Sequence, residues 1–312
     1  MRRLIARAPT RIDFGGGWTD VPPYPARHEG FVCNAAIDRF ATVTVRDGAD
    51  DARTPLVSAA LRRAEVTGAS VTLESGFPVG AGLGGSSAAG VAVAGALAAW
   101  RGEALSRVEL AELSCATERN DLGIAGGSQD HYAAAFGGVL ALRFRDGAID
   151  VEEIRTSAAL SAELARRCLV WFTGESRISA QQIEVVVDAM RGGDERVMRL
   201  LAGMKRCAIG MAEALHTAAL DQLGALVGEH WELQRALHPS ITTETIDRMC
   251  ERAYANGALG FKALGASGGG CVVAVARADR VDALREAMGD LAEPLPYRID
   301  AEGFHIEEGS PA

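Results

Sequence analysis

Hydrophobic and polar positions alternate along residues 29–46 and 66–74, with Val43, Val45, Val71 and Leu73 as apolar anchors, and a period of two predicts half-buried strands. Residues 86–100 and 106–119 follow with a helical period. Residues 139–144 and 149–154 flank Asp146 and Gly147, which predicts a hairpin, and residues 169–172 form a further short strand. A helical pattern then runs from about residue 178 to residue 255, interrupted at Gly192-Gly193 and near Pro239. Residues 258–264 and 271–276 read as strands on either side of a glycine-rich loop. A helix at 279–290 and strands near 295 and 304 complete an α+β second half. Composition turns helix-rich after residue 175, and two units are expected, 1–170 and 171–312.

Length supports that division, because 312 residues exceed what one hydrophobic core usually sustains. A hydrophobic content of 48% fills two cores, and a net charge of −9 argues against a nucleic-acid surface. The longest apolar stretch, residues 88–100, is too short to cross a bilayer, and the basic start Met1-Arg-Arg is followed too soon by Arg7 and Arg11 to be a secretory signal. No membrane partner is expected. Six cysteines without C-x-x-C spacing read as reduced core residues of a cytoplasmic protein.

The candidate chemistry is concentrated in glycine-dense segments. Residues 78–90 read Pro-Val-Gly-Ala-Gly-Leu-Gly-Gly-Ser-Ser-Ala-Ala-Gly and run straight into the helical pattern. Pro78, Gly80, Gly82, Leu83, Gly84 and Gly85 form a turn in which several backbone N–H groups can converge on one anion, and the helix N-terminus adds its own. Ser86 and Ser87 bring hydroxyls that can cap that end or reach a metal. Taken alone the run is equally a tight loop in an Ala/Gly-rich core. It satisfies G-x-G-x-x-G, but residues 101–118 are helical where a dinucleotide fold needs a second strand. The Walker loop fails for want of a lysine at Gly85, and no H-R-D or D-F-G follows for a protein kinase.

Three other segments add to it. Residues 263–270, Ala-Leu-Gly-Ala-Ser-Gly-Gly-Gly, put Gly268 and Gly269 in a loop suited to close approach of a ligand. Arg11 and Asp13 share one face of an extended segment, and Trp18, Thr19 and Asp20 follow a triple glycine, a composition suited to a hydroxyl-rich ligand. Glu118 closes a helical pattern and Asp130 emerges from a glycine turn at the head of another, so one carboxylate can ligate magnesium while the other faces a substrate hydroxyl.

This ordered set resembles the GHMP kinase family over nearly the whole chain, in Ala-Pro-Thr-Arg-Ile-Asp-Phe at residues 8–14 with Gly-Gly-Trp-Thr-Asp at 16–20, then residues 78–89, then 264–270. The resemblance implies a two-domain fold, an N-terminal mixed α/β nucleotide-binding domain followed by a ferredoxin-like α/β domain. It implies phosphoryl transfer from ATP with Mg2+, most similar to the branch that phosphorylates the anomeric hydroxyl of sugars. Residues 122–138 and 173–179 are similar to kinases of heptose 7-phosphates, which usually carry Gly at Trp18 and Gln at His131, whereas the Gly-Gly-Trp-Thr-Asp run is similar to kinases of L-fucose. Carried over residue by residue, Asp130 and Arg11 are catalytic, residues 78–87 hold the nucleotide, and Ser86 and Glu118 hold magnesium. Trp18, Thr19, Asp20, Gly268, Gly269 and Arg177 contact the sugar, with Lys262 a second candidate beside Arg177 for a phosphate tail. The implied partners are a sugar or sugar phosphate, ATP, and at most a second copy of the chain as a homodimer. The contrary reading is a sensor that kept the pocket without the reaction.

Overall fold

A computed structural model of the chain describes residues 2–48, 54–175 and 180–307. Arg177 and the start of the segment expected to be helical from residue 178 lie outside the described residues. The first half runs β1 (Arg3–Gly15), α1 (Pro25–His28), β2 (Gly30–Asp47), α2 (Pro55–Arg63), β3 (Ala69–Ser75), α3 (Gly85–Trp100) and α4 (Arg107–Ala116). A π-helical turn (Thr117–Asp121), α5 (Gln129–Phe136), β4 (Val139–Arg145), β5 (Ala148–Ile154) and α6 (Ala158–Arg167) follow. The second half holds β6 (Cys168–Phe172), α7 (Ala180–Arg191), α8 (Glu195–His216), α9 (Leu220–Arg235), α10 (Glu244–Ala255), β7 (Ala258–Ala263), β8 (Cys271–Ala276), α11 (Val281–Ala287), β9 (Glu293–Pro294) and β10 (His305–Glu307).

These strands make two antiparallel sheets. The first has the order β10-β1-β2-β4-β5, with β3 also on β2; the 18-residue β2 pairs β4 through its first half and β3 through its second. The second has the order β7-β8-β6-β9. The last strand thus returns to the first sheet, pairing Ile5 with Glu307 and Arg7 with His305.

Three clusters fill the space around the sheets. One lies between the first sheet and α2 to α5, a second between the other face of that sheet, α8, α9 and the second sheet, and a third on the far face of the second sheet. Helix α3 is apolar nearly all round and buried along most of its length, as expected of a helix at the centre of a core. Two of its glycines admit neighbours: a Cβ on Gly90 would stand 2.5 Å from the Ser114 hydroxyl, and one on Gly95 would stand 2.3 Å from the Phe304 ring.

Most expected elements appear where the periodicity puts them. Helices α2 and α6 were not expected, although Thr54 before Pro55, and Ser157, cap them by accepting from Val57 N–H and Leu160 N–H. The second-half helices break once more than expected, at Thr217–Ala219, where Ala218 takes a positive φ of 55° without a glycine or proline to signal it.

Candidate active site

The site assembles where β1, the glycine loop before α3, the turn before α5 and the loop between β7 and β8 meet. Arg11 N–H donates to Leu83 O at 3.0 Å, and Arg11 Nη1 donates to Gly82 O at 2.7 Å, so the strand carries the glycine loop on its own arginine. Gly80, Gly82 and Gly84 all have φ between 72° and 73°, the left-handed region that glycine enters without strain. The loop ends at Gly84, which precedes α3, and Ser86 is exposed there while Ser87 is buried.

The second glycine loop lies against the first, backbone to backbone. Cys271 N–H donates to Ala81 O at 2.7 Å, and a Cβ on Gly82 would stand 2.5 Å from Leu264 O. Gly268 and Gly269 are tightly flanked as well, the first by Gln182 Nε2 and Ser240 O, the second by Glu175 O, each 2.9 Å from where a Cβ would stand. These glycines are therefore required by packing whatever ligand they approach.

Asp130 sits in the first turn of α5. Arg11 Nε and Nη2 both reach its Oδ1 at 2.7 Å, and Arg11 itself is 3% exposed. Burial pushes the Asp130 carboxyl above its usual range, against the opposing pull of Arg11. Asp20, also buried, accepts from Gln129 N–H at 3.1 Å, and burial pushes it up to about 6. A Cβ on Gly127 would stand 1.8 Å from Asp20 Oδ2, so the glycine turn before α5 exists in part to admit this carboxylate.

Glu118 occupies the π-helical turn after α4 and faces the start of α3. Its Oε2 accepts from Ser86 Oγ at 3.5 Å, and burial together with the nearby Asp130 charge pushes it up to about 7. Among the described residues no group of three His, Cys, Asp or Glu could enclose a metal. Two hard oxygen donors beside a glycine loop and a helix N-terminus nevertheless fit magnesium, which keeps several waters and is commonly held by one or two protein oxygens together with substrate phosphates.

Other expected residues are placed differently. Trp18 is buried at a positive φ of 77° and packs in the third core cluster, its Nε1 without a hydrogen-bond partner. Thr19 is fully buried, its hydroxyl donating to Gly16 O at 2.6 Å and accepting from Phe31 N–H at 3.0 Å, so it braces the turn that presents Asp20. Lys262 is not free for a phosphate tail: it is fully buried in β7, donating to Asp13 O at 2.8 Å and Asp13 Oδ2 at 3.1 Å. Burial alone would push the Asp13 carboxyl up, but Lys262 and its cationic neighbours hold it below its usual range. That pair, and the His230 Nε2 that accepts from Gly16 N–H at 2.8 Å, were not singled out as a unit, because the partners lie more than 200 residues apart and no local pattern joins them.

Comparisons with known proteins bear on the family and the fold. Residues 54–138 match the GHMP kinases N terminal domain and residues 211–293 match GHMP kinases C terminal. The chain is 30% identical over 303 residues to a D-glycero-alpha-D-manno-heptose 7-phosphate kinase of Campylobacter jejuni, covering 86% of this chain and 88% of that protein. It is 28% identical to a bifunctional fucokinase/GDP-fucose pyrophosphorylase of Arabidopsis thaliana, spanning 94% of this chain but only 32% of that longer protein. In fold it superposes on a D-glycero-D-manno-heptose 1-phosphate kinase of Bacteroides thetaiotaomicron with a TM-score of 0.80 at 23% identity, covering 99% and 100% of the two chains. Lactococcus lactis galactokinase superposes with a TM-score of 0.76 at 18% identity, covering 99% and 95%. Among the described residues no helix is long and apolar enough to cross a membrane, and all six cysteines are buried and free. With both family domains matched in order and a relative aligned over most of its length, the chain belongs to the GHMP kinase family and is a phosphotransferase.

Proposed function

We propose that this kinase transfers the γ-phosphoryl group of ATP to the anomeric hydroxyl of a sugar, with D-glycero-D-manno-heptose 7-phosphate or a related long-chain sugar phosphate as acceptor. The observation that carries the reading is the Arg11–Asp130 pair seated on the glycine loop, with Ser86 and Glu118 side by side at the start of the following helix. Asp130 stands where it can accept or orient an acceptor hydroxyl, while Arg11 holds it in place and adds positive charge near the transferring group. Residues 78–87 receive the nucleotide phosphates through backbone N–H groups and the positive end of α3. Ser86 and Glu118, with the nucleotide phosphates, would hold magnesium, which would neutralise phosphate charge there. Asp20, presented by the Thr19-braced turn, binds sugar hydroxyls. A pure sensor needs no acid beside an acceptor hydroxyl, and the Arg11–Asp130 pair argues against one.

The 86% alignment with the heptose 7-phosphate kinase supports the phosphorylated acceptor. A free sugar such as L-fucose is the second reading. It is favoured by the consumption of Lys262 within the core and by the Gly-Gly-Trp-Thr-Asp run, which is similar to the fucose kinases. ADP release measured across a panel containing heptose 7-phosphates, their unphosphorylated counterparts and L-fucose decides between them. Turnover of the heptose 7-phosphates alone supports the first reading, turnover of L-fucose supports the second, and ADP release with no sugar of the panel overturns both.

A further inference from the structure

Behind the Glu118 carboxylate lies a buried pair that the reaction as described does not use. Ser114, from α4, and His131, the residue after Asp130 in α5, are 1% and 2% exposed, and Ser114 Oγ is 2.9 Å from His131 Nδ1. The other ring nitrogen, Nε2, is 3.6 Å from Glu118 Oε2, the same oxygen that Ser86 Oγ approaches at 3.5 Å. One carboxylate oxygen is thus flanked by a serine on the solvent side and by an imidazole on the core side.

The ring has little freedom to arrange itself otherwise. The Ser114 hydroxyl occupies the space that Gly90 of α3 leaves open, where a Cβ would stand 2.5 Å from it. A neutral imidazole carries one N–H and one acceptor nitrogen. If Nδ1 accepts from the Ser114 hydroxyl, Nε2 carries the hydrogen and directs it toward the carboxylate across 3.6 Å, an electrostatic contact longer than a hydrogen bond; the opposite tautomer would aim a lone pair at the same oxygen. Burial keeps the ring neutral. Glu118 needs such support, because a π-helical turn is a local departure from the regular ladder and places its side chain off the helix register.

We propose that His131, oriented by Ser114, is a positioning residue that holds the Glu118 carboxylate toward the metal–nucleotide site. This rests on the reading of Glu118 as a magnesium ligand. Outer partners of ligating groups commonly govern metal affinity by fixing the ligand's direction. Glutamine is the conservative replacement in the one respect that matters, since its amide can also donate an N–H at the distance of Nε2 from the backbone. Asparagine is the informative contrast, because its shorter amide reaches only the Nδ1 position, beside Ser114.

The test measures Mn2+ binding to the enzyme–ADP complex, read from the loss of the free-Mn2+ paramagnetic resonance signal, for the wild type, His131→Gln, His131→Asn, Ser114→Ala and Glu118→Gln. His131→Gln is expected within about twofold of wild type, whereas His131→Asn weakens Mn2+ binding by about tenfold or more, the lower end of such effects. Ser114→Ala, which touches neither Glu118 nor the metal, is expected to fall between them, and ADP affinity without metal stays within about twofold throughout. Equal Mn2+ affinity in the Gln and Asn variants overturns the proposal, as does an unchanged affinity in Ser114→Ala together with an unchanged one in His131→Asn. Glu118→Gln separates the layers. If it weakens Mn2+ binding while His131→Asn does not, the role of His131 alone fails; if it too leaves Mn2+ binding unchanged, the assignment of Glu118 as ligand falls and takes the proposal with it.

Discussion

Arg11 and Asp130 meet through a single carboxylate oxygen: Nε and Nη2 of the arginine both stand 2.7 Å from Oδ1, while Oδ2 faces Gly84, 3.1 Å from where a Cβ on that glycine would stand. One oxygen is thereby saturated by the guanidinium and the other is turned toward the mouth of the glycine loop. Among the described residues the Asp130 carboxylate is joined by hydrogen bond to Arg11 alone.

That division predicts the effect of Asp130→Asn. The amide keeps the shape and an acceptor for Arg11 but loses the charge at the position proposed to face the acceptor hydroxyl. Nucleotide binding should stay within a few-fold of wild type while kcat falls by roughly a hundredfold or more. Steady-state kinetics beside nucleotide titration checks this, and near wild-type kcat would remove Asp130 from the mechanism.

Arg11→Lys tests the fork. Three nitrogens of the guanidinium are engaged, two on Asp130 and one on Gly82 O, and a lysine ammonium cannot reproduce that planar arrangement. The variant is expected to lose at least about tenfold in kcat and about 1–3 kcal/mol in stability, the range for leaving a buried partner unmet. A variant with normal kcat and an unshifted denaturant midpoint would show that charge alone suffices.

Gly84→Val addresses the cradle. Its φ of 73° disfavours any side chain, and a Cβ would stand 3.0 Å from Asp130 Cγ, so valine pushes against the acid as well as straining the loop. ATP-analogue affinity should fall by at least about tenfold, on the order of 1.4 kcal/mol, and kcat should fall with it. Calorimetric titration with a non-hydrolysable analogue, run beside a melting curve, separates loss of binding from loss of fold; intact affinity in a folded variant would mean the phosphates lie elsewhere.

Asp20 supplies a pH dependence. Its carboxyl is pushed up to about 6 by burial, above the ordinary value near 3.8, so the folded protein keeps this proton longer than the unfolded chain does. As pH rises from about 4 to 6 the unfolded chain releases the proton first, and stability falls; above that window the cost is complete, about 3 kcal/mol. Asp20→Asn retains an acceptor for Gln129 N–H and removes the titration, so the variant should gain on the wild type between pH 4 and pH 7.5 while losing sugar affinity. Urea unfolding of both proteins at the two pH values measures it, and a stability difference that does not change with pH contradicts the assignment.

Much of this was legible from sequence because it is local. Glycines 80, 82 and 84 announce a turn that needs positive φ, and the alternation in residues 29–46 announces the strand that carries half the first sheet. The caps of α2 and α6 are equally local, Thr54 and Ser157 each accepting from a backbone N–H three residues on. What sequence does not carry is direction. Nothing in the string around Thr19 tells that its hydroxyl turns inward to Gly16 and Phe31 while its neighbour Asp20 faces Gln129, and nothing around Lys262 tells that its charge is spent on Asp13. Such outcomes depend on which strands become neighbours, and only the folded chain decides that.

The Lys262–Asp13 contact also decides whether this protein can be dissected. Each residue belongs to a different sheet, and each is shielded from water only because the other neutralises it. A fragment ending before β7 would enclose an orphan anion, and it would also forfeit β10, baring the outer edge of β1 to whatever strand came near. Neither half is an independent module to be transplanted or expressed apart, and a heat-capacity trace of the intact chain should therefore display one cooperative endotherm in place of two.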